Sequence, residues 1–268
     1  MLGSADSWSG GEVGPRLTCV LAPNPGPMTL DGTNTWLVGS RGGPIVVVDP
    51  GPAHGEHLRG VVDAAEGRIA EILLTHGHPD HAEGARSLHE MTRAPVRALD
   101  PAHVLGGEGL HPGDTVDAGG LEIRVVATPG HTRDCLTFHV PVDGAILTGD
   151  TVLGRGTTVV AWPDGHLADY LDSLAALRRL AEETGSVSLL PGHGPVLGDP
   201  AGVIDAYLDH RRARLEQVRI AVQEGATTPE DVVDAVYGDV PTSVRWAALL
   251  STRAQLEYLA AQRDGTGD

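Results

Sequence analysis

The sequence predicts a layered α/β domain followed by a mostly helical C-terminal region. Three observations carry this. Short apolar stretches bounded by Gly, Pro or Asp recur through the first 200 residues. Helical patterns fall between some of them, as a layered α/β fold requires. Beyond about residue 200 the strand-like stretches give way to long helical ones.

The elements follow in chain order. Residues 1–14, "MLGSADSWSGGEVG", are rich in Gly and Ser and read as a loose tail. They hold no basic residue and no apolar run, so they do not read as a secretory signal. Eight strand-like stretches come next: "RLTCVLAP", "TNTWLVG", "PIVVVDPG", "AEILLTH", "LEIRVVATPG", "CLTFHV", "GAILTGD" and "SVSLLPGHG". Each is rich in Val, Ile, Leu or Thr. "GEHLRGVVDAA" and "AEGARSLHEMT" read as helices between them. The clearest helix is "ADYLDSLAALRRLAEETG", where Leu171, Leu174, Leu177 and Leu180 repeat at helical spacing and Gly185 supplies a C-cap. These elements define a domain over residues 15–200. The region 201–268 holds "VIDAYLDHRRARLEQVRIAVQEG", then "TTPEDVVDAVYG" with Thr228 or Thr227 as N-cap and Pro229 in the first turn, then "VRWAALLSTRAQLEYLAAQRDG".

Composition narrows the function classes. At 268 residues and 41% apolar content the chain is long enough to bury a good core. No apolar stretch is long enough to span a bilayer. The only cysteines, Cys19 and Cys135, make no disulfide framework, so a reducing cytoplasm is the expected location. The net charge is −17 and all 19 basic residues are arginine. A field of that sign repels nucleic acid and anionic membranes.

The chemistry concentrates in "LLTHGHPDHAEG", where His76, His78, Asp80 and His81 lie within six positions. His131, Asp150 and His193 also sit at the ends of predicted strands. Strand ends gather side chains from distant segments onto one rim. Imidazole and carboxylate together suit zinc best, and iron or manganese as well. His76, His78 and His131 are assigned to a first metal, Asp80, His81 and His193 to a second, and Asp150 to a bridge between them. A bridging water, acidified by the metals to hydroxide, would be the nucleophile, with Asp80 and Asp150 as the catalytic carboxylates. Thirteen histidines make some clustering ordinary. Seven suitable residues, all at strand ends, do not fit chance surface placement.

These residues resemble a known family. "THGHPDH" has the H-x-H-x-D-H pattern of the metallo-β-lactamase superfamily, and "TPGHT", "LTGD" and "PGHGP" match its later ligand motifs in order. "NPGPMTLDGTNTWLVG", "GDTVLGRGTTVV" and the helical tail are similar to the beta-lactamase-like protein 2 branch. The resemblance covers nearly all of residues 16–263. It implies an αββα sandwich with a dinuclear zinc site at one edge, a winged-helix-like C-terminal domain, and hydrolysis. It also implies that antibiotic hydrolysis is not the activity, because true zinc β-lactamases usually carry cysteine where this chain has Asp150. Nothing like the flavodoxin domain of flavodiiron relatives fits into the residues after 200.

Four residues near the motifs are candidate substrate binders. Asn34 in "GTNTWLV" either faces the metals or satisfies a turn. Arg155, Thr157 and Thr158 in "GRGTTV" offer a guanidinium and two hydroxyls for a phosphate or carboxylate. His166 reads as a helix cap, with a proton-donor role as the alternative. His139 and Cys135 read as structural.

The bond cleaved is an ester or thioester of modest size by preference. Branch relatives include single-strand endoribonucleases and acyl-carrier thioesterases. Residues 199–268 hold seven arginines and twelve acidic residues, and a winged helix that binds nucleic acid normally presents a basic face. Only 3% of the chain is aromatic, which leaves few platforms for bases. A small-molecule substrate is therefore favoured over RNA. The endoribonuclease and a non-enzymatic metal-sensing regulator remain the alternatives. The helical tail serves a homodimer interface as readily as a cleft wall.

Overall fold

A computed structural model of the chain describes residues 7–265. Two six-stranded sheets face each other. The first runs in chain order through β1 (Gly11–Gly14), β2 (Leu17–Leu21), β3 (Asn34–Val38), β4 (Ile45–Val48), β5 (Ile69–Leu73) and β6 (Val96–Arg97). The second runs through β7 (Thr115–Asp117), β8 (Glu122–Ala127), β9 (Leu136–Val140), β10 (Ala145–Gly149), β11 (Ser188–Pro191) and β12 (Leu197–Gly198). Pairing is antiparallel except at β4–β5, β5–β6 and β10–β11.

The alternation of side chains explains why β3 and β4 read as unbroken apolar runs. Trp36, Val38, Val46 and Val48 point into the core between the sheets, with Phe138, Leu147 and Leu190. Leu37, Ile45 and Val47 point the other way, onto α1 (Gly55–Ala64) and α3 (Ala85–Thr92) through Leu58, Val61 and Leu88. A strand buried on both faces has no polar side to show. On the far face of the second sheet, Ile146 and Leu189 pack with Leu174 and Leu177 of α4 (Leu167–Thr184). The layers are helix, sheet, sheet, helix, which is the αββα arrangement the resemblance implied. As expected, Gly185 ends α4 in the left-handed conformation, at φ 65°.

The tail begins with α5 (Pro200–Gln223), capped by Asp199, and continues with α6 (Pro229–Val236) and α7 (Arg245–Gly265). Thr228 and Asp231 form a reciprocal capping box on α6. Ile204 and Tyr207 of α5 and Ala254 of α7 share the core of α4. Among the described residues no strand follows β12, so these helices carry no β-hairpin wing. The loose tail expected over residues 1–14 is corrected in part. Residues 1–6 lie outside the described residues, but Gly11–Gly14 pair with β2, and the Trp8 indole donates to Asn34 Oδ1 at 2.8 Å. Edge-strand hydrogen bonds and one half-buried indole hold a segment whose composition alone looks unstructured. No helix among the described residues is long and apolar enough to cross a membrane.

Candidate metal centre

Strand β5 ends at Leu73, three residues before His76. Pro79 then starts a single helical turn, α2 (Pro79–Ala82), with His78 at its N-cap. That turn swings Asp80 and His81 toward the rim where the other strands end. His131 follows β8, Asp150 follows β10 and His193 follows β11. Two glycines let these loops close up. A Cβ at Gly192 would lie 2.5 Å from Asp150 Oδ1, and one at Gly149, where φ is 50°, would lie 2.7 Å from Thr75 Oγ1.

The seven predicted ligands come together in two groups. His78 Nδ1 lies 3.0 Å from His76 Nε2 and 3.1 Å from His131 Nε2. His193 Nε2 lies 3.2 Å from both His81 Nε2 and Asp80 Oδ2. Asp150 reaches both groups, at 3.5 Å from His81, 3.4 Å from His193 and 3.7 Å from His131. Its Oδ1 is buried without a hydrogen-bond partner.

This arrangement fits divalent metal. Three pairs of imidazole nitrogens face each other edge to edge, which wastes lone pairs unless a cation lies among them. Two nitrogens about 2.05 Å from one tetrahedral ion sit about 3.3 Å apart, close to the spacings seen. The outer nitrogens are fixed as metal-binding imidazoles require. His81 Nδ1 donates to Asp49 Oδ2 at 2.8 Å, His131 Nδ1 to the Val159 carbonyl at 2.8 Å, and His193 Nδ1 to the Gly32 carbonyl at 3.2 Å. His76 Nδ1 donates to Thr75 Oγ1 at 3.0 Å, and that hydroxyl donates to Asp49 Oδ2 at 2.7 Å.

Electrostatics separate the two groups. Burial alone pushes the Asp150 carboxyl up, but the charges of His193 and His81 outweigh it and hold it well below the usual range. Burial pushes His81 down, yet Asp150 and Asp49 raise it well above its ordinary value. His193 follows the same balance to about 9, chiefly through Asp150. Burial dominates at His76 and His131, and both are lowered. The carboxylates that favour positive charge on His81 and His193 would equally favour a metal cation beside Asp150.

The model of the Metallo-beta-lactamase superfamily matches residues 28–193. The chain belongs to that superfamily. It is a hydrolase with the metallo-β-lactamase fold. It is 34% identical to the Beta-lactamase-like protein 2 homolog of Caenorhabditis elegans, over 93% of this chain and 85% of that one. It is also 34% identical to an Atrochrysone carboxyl ACP thioesterase of Aspergillus chevalieri, over 89% of this chain and 78% of that one. Among solved structures, a Beta-lactamase domain protein from Burkholderia ambifaria superposes with a TM-score of 0.77 at 26% identity, covering 93% of this chain and 88% of its own. TTHA1623, solved in a di-iron-bound form, superposes with a TM-score of 0.55 at 26% identity over 68% of this chain and 96% of its own.

The predicted substrate binders fare differently in this metallo-β-lactamase fold. Asn34 is corrected. Its side chain is fully buried, and its Nδ2 donates to the Pro191 and Gly194 carbonyls at 2.9 and 2.8 Å. It braces the His193 loop and has no surface left for substrate. Arg155 pairs with Asp31. Thr158 is buried, and its hydroxyl donates to the Asp150 carbonyl at 2.7 Å, so it positions a candidate ligand from behind. Thr157 is half-buried and lies 3.4 Å from His210 Nε2. His166 caps α4, and Cys135 and His139 are buried, as expected of structural residues.

Sequence reasoning missed Asp49 and Thr75. Asp49 directly follows β4 at a left-handed φ of 53°, and its Oδ1 accepts from the Thr75 amide at 2.8 Å. An aspartate closing the apolar run "PIVVVDPG", at a strand end like every ligand, was the available signal.

Proposed function

We propose that this hydrolase holds two divalent metals and cleaves a thioester or ester of a small acyl substrate. The observation that carries the reading is Asp150, whose carboxylate faces His81, His193 and His131 within 3.7 Å and so joins the two ligand groups. His76, His78 and His131 would hold one metal, Asp80, His81 and His193 the other, and Asp150 both. Zinc suits this nitrogen-rich set best, with iron or manganese as substitutes. When bound, the metals supply Lewis-acid polarisation of the scissile carbonyl and acidify a water. The di-iron form of a structural relative and the thioesterase name of a sequence relative support the two halves of the reading.

The chain's own residues then do three things. Asp49, Val159 and Gly32 fix the imidazoles in one tautomer each. Asp80, whose side chain is 29% exposed, is the ligand carboxylate most open to substrate. It accepts a proton from the attacking water and returns it to the departing thiolate. The new bond is carbon to oxygen and the broken one carbon to sulfur, so an acid and a thiol leave.

The test pairs zinc- and manganese-loaded protein with an Asp80→Ala control. The substrates are an acyl-coenzyme A thioester, S-lactoylglutathione and a labelled single-stranded RNA. Thioester turnover that is lost in the variant is the expected result. RNA cleavage without thioester turnover would overturn the reading in favour of an endoribonuclease.

A further inference from the structure

A cavity of about 280 Å³ lies between the catalytic layers and the tail helices. Its walls are apolar on the α6–α7 side, with Val240, Val244 and Ala247, and cationic on α5, with Arg211 and Arg214 beside His210. Thr157, Thr158 and Val159 line the side toward the catalytic layers, with Pro27 and Met28. That short loop also touches the metal centre, because the Thr158 hydroxyl donates to the Asp150 carbonyl and the Val159 carbonyl accepts from His131.

The charge on α5 is out of place in a chain of net charge −17. Arg211 is only 5% exposed. Its guanidinium donates to the Thr158 carbonyl and lies 4.9 Å from the centre of the Tyr170 ring, while its Nε has no partner. Arg214 stacks 4.4 Å from the Tyr237 ring and donates to the Val236 carbonyl at 2.9 Å. Among the described residues, neither guanidinium is paired with a carboxylate, whereas Arg212 and Arg219 on the same helix are paired with Asp209 and Glu216. Burying a guanidinium without a counter-charge is costly, and proteins normally avoid it. An aromatic ring lies beside each guanidinium and Arg211 Nε is left without a partner, and a pair of guanidiniums of this kind suits a planar or tetrahedral oxyanion.

We infer that this cavity binds an anionic oxygen group of the substrate, a carboxylate or a phosphate, on Arg211 and Arg214 while the reacting carbonyl sits at the metal centre. The inference rests on the hydrolase reading and deepens it. The tail helices then select substrate by charge. The apolar α6–α7 wall covers the carbon chain beside the anion. Arg155, engaged by Asp31, yields the anion-binding role foreseen for it to these two arginines.

A carboxylate would come from the far end of the acyl group and a phosphate from the thiol arm. Two substrate pairs separate them. One compares glutaryl with pentanoyl thioesters of N-acetylcysteamine, and the other compares acetyl thioesters of 4′-phosphopantetheine and pantetheine. On the metal-loaded full chain, one pair favours its anionic member by about tenfold or more in kcat/KM. Arg214→Gln collapses that ratio, and Arg214→Lys retains part of it. A merely structural defect lowers both members alike and leaves the ratio intact, which would overturn the proposal, as would a ratio near one in both pairs.

A second readout needs no turnover. Glutarate or glycerol phosphate should raise the melting temperature of the wild type more than that of Arg214→Gln. If no thioester is hydrolysed but this difference persists, the substrate reading has failed and the anion pocket stands. An equal shift in both proteins overturns the pocket.

Discussion

His81 Nδ1 lies 2.8 Å from Asp49 Oδ2, and both side chains are sealed from solvent. The carboxylate fixes the tautomer that leaves His81 Nε2 free to face the ligand cluster. It also anchors the His76 side through Thr75. Asp49→Asn removes the charge but tolerates the left-handed backbone at this position. Metal affinity, measured by chelator competition, should fall about 10–100-fold. Unchanged affinity would show that Asp49 serves only the fold.

Gly192 leaves room for two of the proposed ligands. An added Cβ would meet Asp150 Oδ1 at 2.5 Å and His81 Cε1 at 2.7 Å, and neither group is the far end of a flexible chain. Gly192→Ala should therefore cost at least the roughly 10–100-fold in activity or metal affinity that follows disturbance of ligand orientation. Metal content by elemental analysis and turnover at saturating zinc measure this. Wild-type values for both would mean the loop relaxes freely.

Asn34 is a brace. Truncation to Ala leaves the Gly194 carbonyl and the Trp8 indole without this partner, and leaves the Pro191 carbonyl with the Trp36 indole as its remaining side-chain donor. The expected loss is on the order of 3 kcal/mol of unfolding free energy, read by urea denaturation. An unchanged stability with a raised KM would restore the substrate-binding role.

The two thiols predict alkaline sensitivity. Burial pushes both Cys19 and Cys135 up to about 12, against 9.0 for an ordinary cysteine. Below 9 both states of the chain keep their protons. Between 9 and 12 the unfolded chain loses them and the folded one does not, so stability falls as pH rises, by up to about 1.4 kcal/mol per pH unit for each thiol. Urea midpoints at pH 8 and 10.5 should differ less in Cys135→Ala than in the wild type. Native protein should also resist iodoacetamide at pH 8 until denatured. Rapid native labelling would contradict the burial of these thiols.

Much of the candidate metal centre was legible in the sequence because ligation demands particular residue types. His76 to His81, His131, Asp150 and His193 stand out at strand ends, and the structure brings them to one rim. Asp49 and Thr75 did not stand out. They are ordinary residues whose role depends on partners brought near by the parallel pairing of β4 and β5. Asn34 misled because a polar side chain beside a motif looks available, and only burial shows that it is spent on Pro191 and Gly194. The tail shows a third limit. Its excess of acidic residues argues against a broad basic face but averages away Arg211 and Arg214. Helical spacing places those two on one cavity, while Arg212 and Arg219 find acidic partners. Trp8 and β1 were read as loose because strand pairing is a non-local property that Gly- and Ser-rich composition conceals.

The most direct test of a centre joined by Asp150 is zinc titration of chelator-stripped protein, followed by calorimetry and thioester turnover in the same samples. Two zinc ions per chain, with activity that appears as they bind and is lost in Asp150→Ala, is the predicted result. Saturation at one zinc per chain, or full turnover by the stripped protein, would contradict it.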